Sequence, residues 1–192
     1  MLGLIGAAVL SSIGVWGTWT YLGAFFVQQH GVTTQGAGWI YMIVSLGVLP
    51  GSLATGGRLG RLPLRPLLLG SRLAMGLLMG ATLALPVAAP ASVGLMTLSS
   101  VMLGVGVVAT STLLTGETPA GRATTMALNQ SANSLGQALG SALGGLLLAV
   151  SGYEALGVSA LLWCAASVGL IWWSGSAALP RLAVAGPAAG DG

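Results

Sequence analysis

The chain has 192 residues, is 55% hydrophobic and only 5% charged, and carries a formal net charge of +3 with a mean hydropathy of +0.92. A soluble domain commits about 25% of its residues to charge, so the 6 basic and 3 acidic side chains here cannot coat a water-facing globule, and lipid must cover much of the surface. The same balance excludes a disordered chain, which is polar and highly charged, and the dispersed arginines form no nucleic-acid face.

A spanning helix needs about 20 mostly apolar residues to cross a hydrocarbon core about 30 Å thick. Taken in chain order, six stretches meet that requirement: 2–27, 38–57, 64–85, 91–114, 119–150 and 153–173. The first follows Met1 with no basic n-region and outlasts the apolar core of a signal peptide, so it reads as a retained span. A polar break over 28–36 comes next, with His30 in its loop. Residues 58–66 hold Arg58, Arg61 and Arg65 with two prolines, and 86–90 form a Pro-Ala turn. Residues 115–122 hold Glu117, Pro119 and Arg122, and Ser151 with Gly152 makes a minimal turn. The Ala/Gly/Pro-rich stretch 175–192 is expected to be a disordered cytoplasmic tail beyond a six-helix transmembrane domain of residues 1–174. Long unbroken apolar runs exclude barrel strands, which alternate. Cys164 has no partner for an internal disulfide. The 32 glycines show no collagen period and suit packed membrane helices instead.

Arginine placement sets the expected topology. Alternating the spans puts Arg58, Arg61, Arg65, Arg122 and Arg181 on one side and no basic residue on the other; Arg72, just inside the third span, is expected to snorkel back to the basic side. The positive-inside rule then places both termini in the cytoplasm. Trp39, Tyr41 and Tyr153 mark the outer interface, and Trp172 and Trp173 the inner one.

Residues 118–145 read TPAGRATTMALNQSANSLGQALGSALGG. This stretch resembles the Pro-x-x-Arg loop and following helix of drug and sugar efflux permeases of the major facilitator superfamily. The family's fifth helix carries G-x-x-x-G-P-x-x-G-G; Gly136, Gly140, Gly144 and Gly145 match it, with Ser141 at the proline position. The segment GGRLGRLPLR resembles the family's second-to-third helix loop, G-x-x-x-D-R-x-G-R-R, through Arg58, Gly60 and Arg61, with Gly57 in place of the aspartate. The fourth span lacks the arginine that the family's fourth helix usually carries. These departures are similar to the C-terminal repeat, so the resemblance implies an all-α integral membrane protein equivalent to helices seven to twelve. It further implies a substrate cavity shared with a second six-helix half that is absent from these residues, and small-solute transport by alternating access.

Several clusters are candidates for that cavity. Asn129, Asn133, Gly136, Gln137, Gly140 and Gly144 fall on one face of the fifth span, within about 100° at 3.6 residues per turn. The amides either line water or hydrogen-bond a neighbouring helix, while the glycines allow close backbone approach. Ser12, Trp16, Trp19, Thr20 and Gly23 share a broad face of the first span, which the resemblance assigns to the cavity; ordinary aromatic packing is the alternative. Thr97, Ser100, Gly104 and Ser111 recur at helical spacing in the fourth span, although hydroxyls there can also bond their own helix carbonyls. Arg58 and Arg61 either serve the family's loop contacts or act as topology determinants.

The acids Glu117, Glu154 and Asp191 all lie in loops, at a helix end or in the tail. Proton coupling would therefore draw its titrating carboxylate from the partner half. An intramembrane protease is disfavoured, because His30 is the sole histidine and neither G-x-S-x-G nor H-E-x-x-H occurs. The resulting expectation is a solute transporter of the cell membrane, acting in efflux, with no cofactor and no metal. Its partners are the lipid bilayer, a small solute, weakly favoured as neutral, and a second six-helix unit. The competing reading is a non-transporting truncated product or a membrane interaction subunit.

Overall fold

Helix boundaries in the computed structural model, which describes residues 2–57, 59–116 and 121–176, follow glycine and proline chemistry. Helix α1 (Leu2–His30) ends where Gly31 turns to φ 64°, and the Val32 N–H reaches back to the Phe26 carbonyl at 3.3 Å, a Schellman closure. His30 is thus the last helical residue and not part of a loop: its ring meets Phe25 and Phe26, and its Nε2 lies 3.4 Å from Ser92 Oγ. Thr33 caps α2 (Thr34–Leu46), its Oγ1 accepting from the Gly36 N–H at 3.1 Å.

The second expected span begins four residues earlier than its hydropathy suggests, at Thr34 rather than 38, and is split at Gly47 into α2 and α3 (Val48–Gly56). Pro50 explains the split. It has no N–H for the Leu46 carbonyl, and its ring crowds that carbonyl. A 3-10 turn (Leu59–Arg61) leads to α4 (Leu64–Ala84), which stops at an extended Leu85 before Pro86. Helix α5 (Ala89–Gly116) carries Pro90 in its first turn, where no N–H is needed.

The last element, α6 (Arg122–Ser176), is interrupted at Gly152, whose φ of 75° and ψ of −169° are open essentially to glycine alone. The two arms run in opposite directions along α1. Before the break, Gly136 meets Val9 and Ser12, Gly140 meets Ile13, and Gly144 meets Gly17, so this arm is parallel to α1. After it, Tyr153 bonds Gln28, Ala160 meets Gly14, and Ser167 bonds the Ala7 carbonyl, so that arm is antiparallel.

Among the described residues there are no strands, and five helices are long and apolar enough to cross a membrane. Small residues build their interfaces, since removing side chains lets backbones approach in lipid. Gly76 faces Cys164 and Gly80 faces Gly157 between α4 and α6; Gly104 faces the Val48 carbonyl between α5 and α3. Two apolar clusters anchor α1. One gathers Trp19, Phe25, Phe26, Met75, Met79 and Met96, the other Leu4, Leu68, Leu114 and Ile171. Trp39, Trp172 and Trp173 are exposed, whereas Tyr153 is buried edge-on against Phe25 and donates to Gln28 Oε1 at 2.9 Å. The first two residues of the expected tail, Gly175 and Ser176, continue α6, while 177–192, Glu117 to Ala120 and Arg58 lie outside the described residues.

Candidate solute cavity

Between the two apolar clusters α1 presents Ala8, Ser12, Val15 and Trp16 to a cavity of about 440 Å³. Its other walls come from α4, α5 and the first arm of α6. Six of the expected cavity residues meet here: Ser12, Trp16, Asn129, Asn133, Gln137 and, from α5, Ser111. Helical spacing explains the grouping on α6, where Asn129, Asn133 and Gln137 follow one another at intervals of one turn. The Ser12 hydroxyl donates to Asn133 Oδ1 at 2.6 Å, and Asn133 Nδ2 donates to the Asn129 carbonyl at 3.0 Å. Asn129 is itself buried, and its Oδ1 has no hydrogen-bond partner among the described residues.

Trp19, Thr20, Thr97, Ser100 and Gly104, also expected there, lie elsewhere. Trp19 is packed in the core, edge-on to Tyr41 at 5.4 Å. Thr20 is exposed, bonding the Trp16 carbonyl at 2.7 Å and Ser141 Oγ at 2.8 Å. Ser100 is buried and spends its hydroxyl on the Met96 carbonyl, as Thr97 does on that of Val93. Gly136, Gly140 and Gly144 abut the α1 backbone; a methyl at Gly140 would lie 2.5 Å from the Ile13 carbonyl oxygen. Gly145 sits under Tyr21, whose hydroxyl donates to the Ser141 carbonyl at 2.9 Å. Gly60 and Arg61 are exposed in the turn after α3.

The residue that sequence reasoning misplaced is Arg72. It does not snorkel to the surface but is 7% exposed and lines the cavity. Its Nη2 approaches Thr110 Oγ1 at 3.4 Å, and its Nε has no partner among the described residues. On α5 the guanidinium lies against Gly106, at ordinary van der Waals distance, and meets the Thr110 hydroxyl. The available signal was a lone charge inside an apolar span, opposite a Gly-x-x-x-Thr pair.

The first arm of α6 also carries a polar stripe on its exposed side, at Gln130, Ser134 and Gln137. The opposite exposed side carries Leu128, Leu135, Leu139 and Leu146. A larger hollow of about 800 Å³ opens at the other end of the bundle, bounded by His30, Pro86, Gly152, Tyr153 and Glu154. Loop and helix-end residues shape it, and it holds none of the expected cavity residues.

Comparison with curated proteins finds no match. The family model of the Major Facilitator Superfamily, by contrast, matches residues 4–188. Members of that family move small solutes across membranes, and with apolar helices of spanning length arranged around a polar cavity, this chain belongs to the Major Facilitator Superfamily and is an integral membrane protein.

Proposed function

We propose that these helices form one wall of an alternating-access solute transporter, with the two arms of α6 counting as separate spans and both ends of the bundle cytoplasmic. In this reading the unit corresponds to helices seven to twelve of the family. A second six-helix unit, wherever it is encoded, supplies the facing wall. Transport runs as efflux from the cell, coupled to protons through a carboxylate of the facing unit. Ser12, Trp16, Asn129, Asn133 and Gln137 contact the solute.

One observation carries this reading: the first arm of α6 exposes two faces of opposite character. Leu135 and Leu139 suit lipid, but Gln130, Ser134 and Gln137 do not, because exposed amides and hydroxyls in hydrocarbon are costly. A water-filled passage satisfies them. A membrane interaction subunit would instead bury the same stripe in a dry contact.

Aqueous labelling separates the two. In membranes, single cysteines at Gln137 and Leu139, each in a Cys164→Ser background, are treated with a charged maleimide. Transport predicts rapid labelling of Gln137→Cys and slow labelling of Leu139→Cys. Equal protection of both positions would mean a dry interface and remove the transport reading.

A further inference from the structure

We infer that the Arg72 cavity is a subsite for the carboxylate of a monoanionic solute with an apolar body. This rests on the transporter reading above and narrows it to a substrate class.

A guanidinium cannot shed its charge, so burial must be offset by a partner. Arg72 is 7% exposed, and its one hydrogen bond goes to a neutral hydroxyl at 3.4 Å. Glu154 is the sole acid among the described residues, and it borders the hollow at the opposite end of the bundle. No counter-ion within the described residues therefore reaches Arg72. Topology does not require a buried charge either, since exposed arginines such as Arg61 already serve that purpose.

The geometry of the free donor is informative. Nε–H lies beside an Nη–H on one edge of the guanidinium, and this edge matches the two oxygens of a carboxylate. Nε is the donor left without a partner; it is shut in against Gly106, so a carboxylate engages this edge only once the guanidinium turns toward the cavity that Arg72 lines. Asn129 lines the same space, and its buried Oδ1, without a partner among the described residues, can serve a hydroxyl or N–H on the solute after a turn of the amide.

The remaining wall sets the rest of the ligand. Val15, Trp16, Leu103, Val107 and Met126 offer apolar contact. A volume of about 440 Å³ fits a small organic molecule. One cation balances one negative charge, which favours a carboxylate over a phosphate dianion. The neutral solute suggested by amides and aromatics alone thus gives way to an anion.

Benzoate and its neutral isostere benzamide test this, using the full chain in phosphatidylcholine nanodiscs and calorimetric titration. The wild-type protein is expected to bind benzoate about tenfold or more tightly than benzamide, as hydrogen bonds to a charged group warrant. Arg72→Gln should reduce benzoate binding to the benzamide level, with Arg72→Lys intermediate. Should Arg72→Gln fail to fold, Asn129→Asp provides the second arm. It places a carboxylate in the same cavity, and is expected to raise Tm and abolish benzoate binding while leaving benzamide binding. Benzoate affinity unchanged by either variant, or no benzoate binding at all, would overturn the inference. Benzamide bound as well as benzoate removes the anion but keeps the cavity as a solute site. Only loss of the labelling contrast between positions 137 and 139 removes the transporter reading itself.

Discussion

The two arms of α6 share a buried seam of the same period yet use the rest of their surface differently. The first arm buries Thr125, Asn129, Ala132, Gly136, Gly140 and Gly144. The second buries Tyr153, Leu156, Ala160, Cys164, Ser167 and Ile171. Outside the seam, the second arm exposes Val158, Leu162, Trp172 and Trp173, a surface for lipid. The first arm exposes leucines on one side and Gln130, Ser134 and Gln137 on another. Periodicity alone therefore identifies a membrane helix but not its role. A helix held between a neighbour and lipid needs two faces, while one that also borders water or a second wall needs three. To supply that third face at no loss of packing, the first arm concentrates its contact with α1 into a narrow glycine strip.

The glycine strip is the place where the arms should differ most under substitution. Gly140→Leu drives a branched side chain into the Ile13 and Gly17 backbone, whose atoms lie only 2.5 and 3.0 Å from where its Cβ would sit. Overpacking of this kind costs about 3 kcal/mol or more where backbone cannot yield. The expected result is loss of membrane yield and of a monodisperse peak on size exclusion. Gly169→Leu on the second arm, with nothing within 4 Å, is expected to leave both unchanged. A Gly140→Leu variant as well tolerated as Gly169→Leu would show that α1 and the first arm are not in close contact.

Next in size is the junction between the arms. Gly152→Ala forces an L residue into φ 75°, ψ −169°, at an expected cost of about 1–3 kcal/mol in SDS unfolding. Gly31→Ala, at φ 64°, also puts an L residue at positive φ and should cost about 1–2 kcal/mol. If Gly152→Ala is as benign as a substitution on an exposed helical face, the arms do not reverse at this residue.

How much of the fold and the cavity is legible in the sequence depends on whether a signal is local. Long apolar runs and their Pro/Gly punctuation reveal helices, because lipid leaves the backbone no other way to satisfy itself. Even there, Pro50 sits in plain view but splits its span at Gly47 only through the carbonyl of Leu46, one turn earlier. The grouping of Asn129, Asn133 and Gln137 is legible from spacing, as is their company with Ser12 once α1 is paired with this arm. Arg72 is not. Whether an arginine near a span's end reaches the surface or turns inward depends on the helix opposite, and here Thr110 of α5 meets the inward-turned guanidinium. Trp19 and Ser100 fail for the same reason: a helical face names neighbours in sequence, but not which element arrives to cover them.

The smallest expected difference concerns hydrogen bonds that each arm makes to α1. Ser12 to Asn133 joins α1 to the first arm by two side chains at 2.6 Å, and Ser167 to the Ala7 carbonyl joins α1 to the second at 2.8 Å. Removing Ser167 leaves a carbonyl within a helix that already bonds its own amide. Removing Ser12 strips Asn133 Oδ1 beside the already unpartnered Asn129 Oδ1, so the first arm should be the more sensitive. A double-mutant cycle of Ser12→Ala and Asn133→Ala is expected to give a coupling of about 0.6 kcal/mol, the usual size for side-chain bonds between membrane helices. Ser167→Ala should fall below that in the same SDS titration. A coupling near zero would mean that water already competes for Asn133, which would bring the wet face of the first arm one helix position deeper than its exposed stripe.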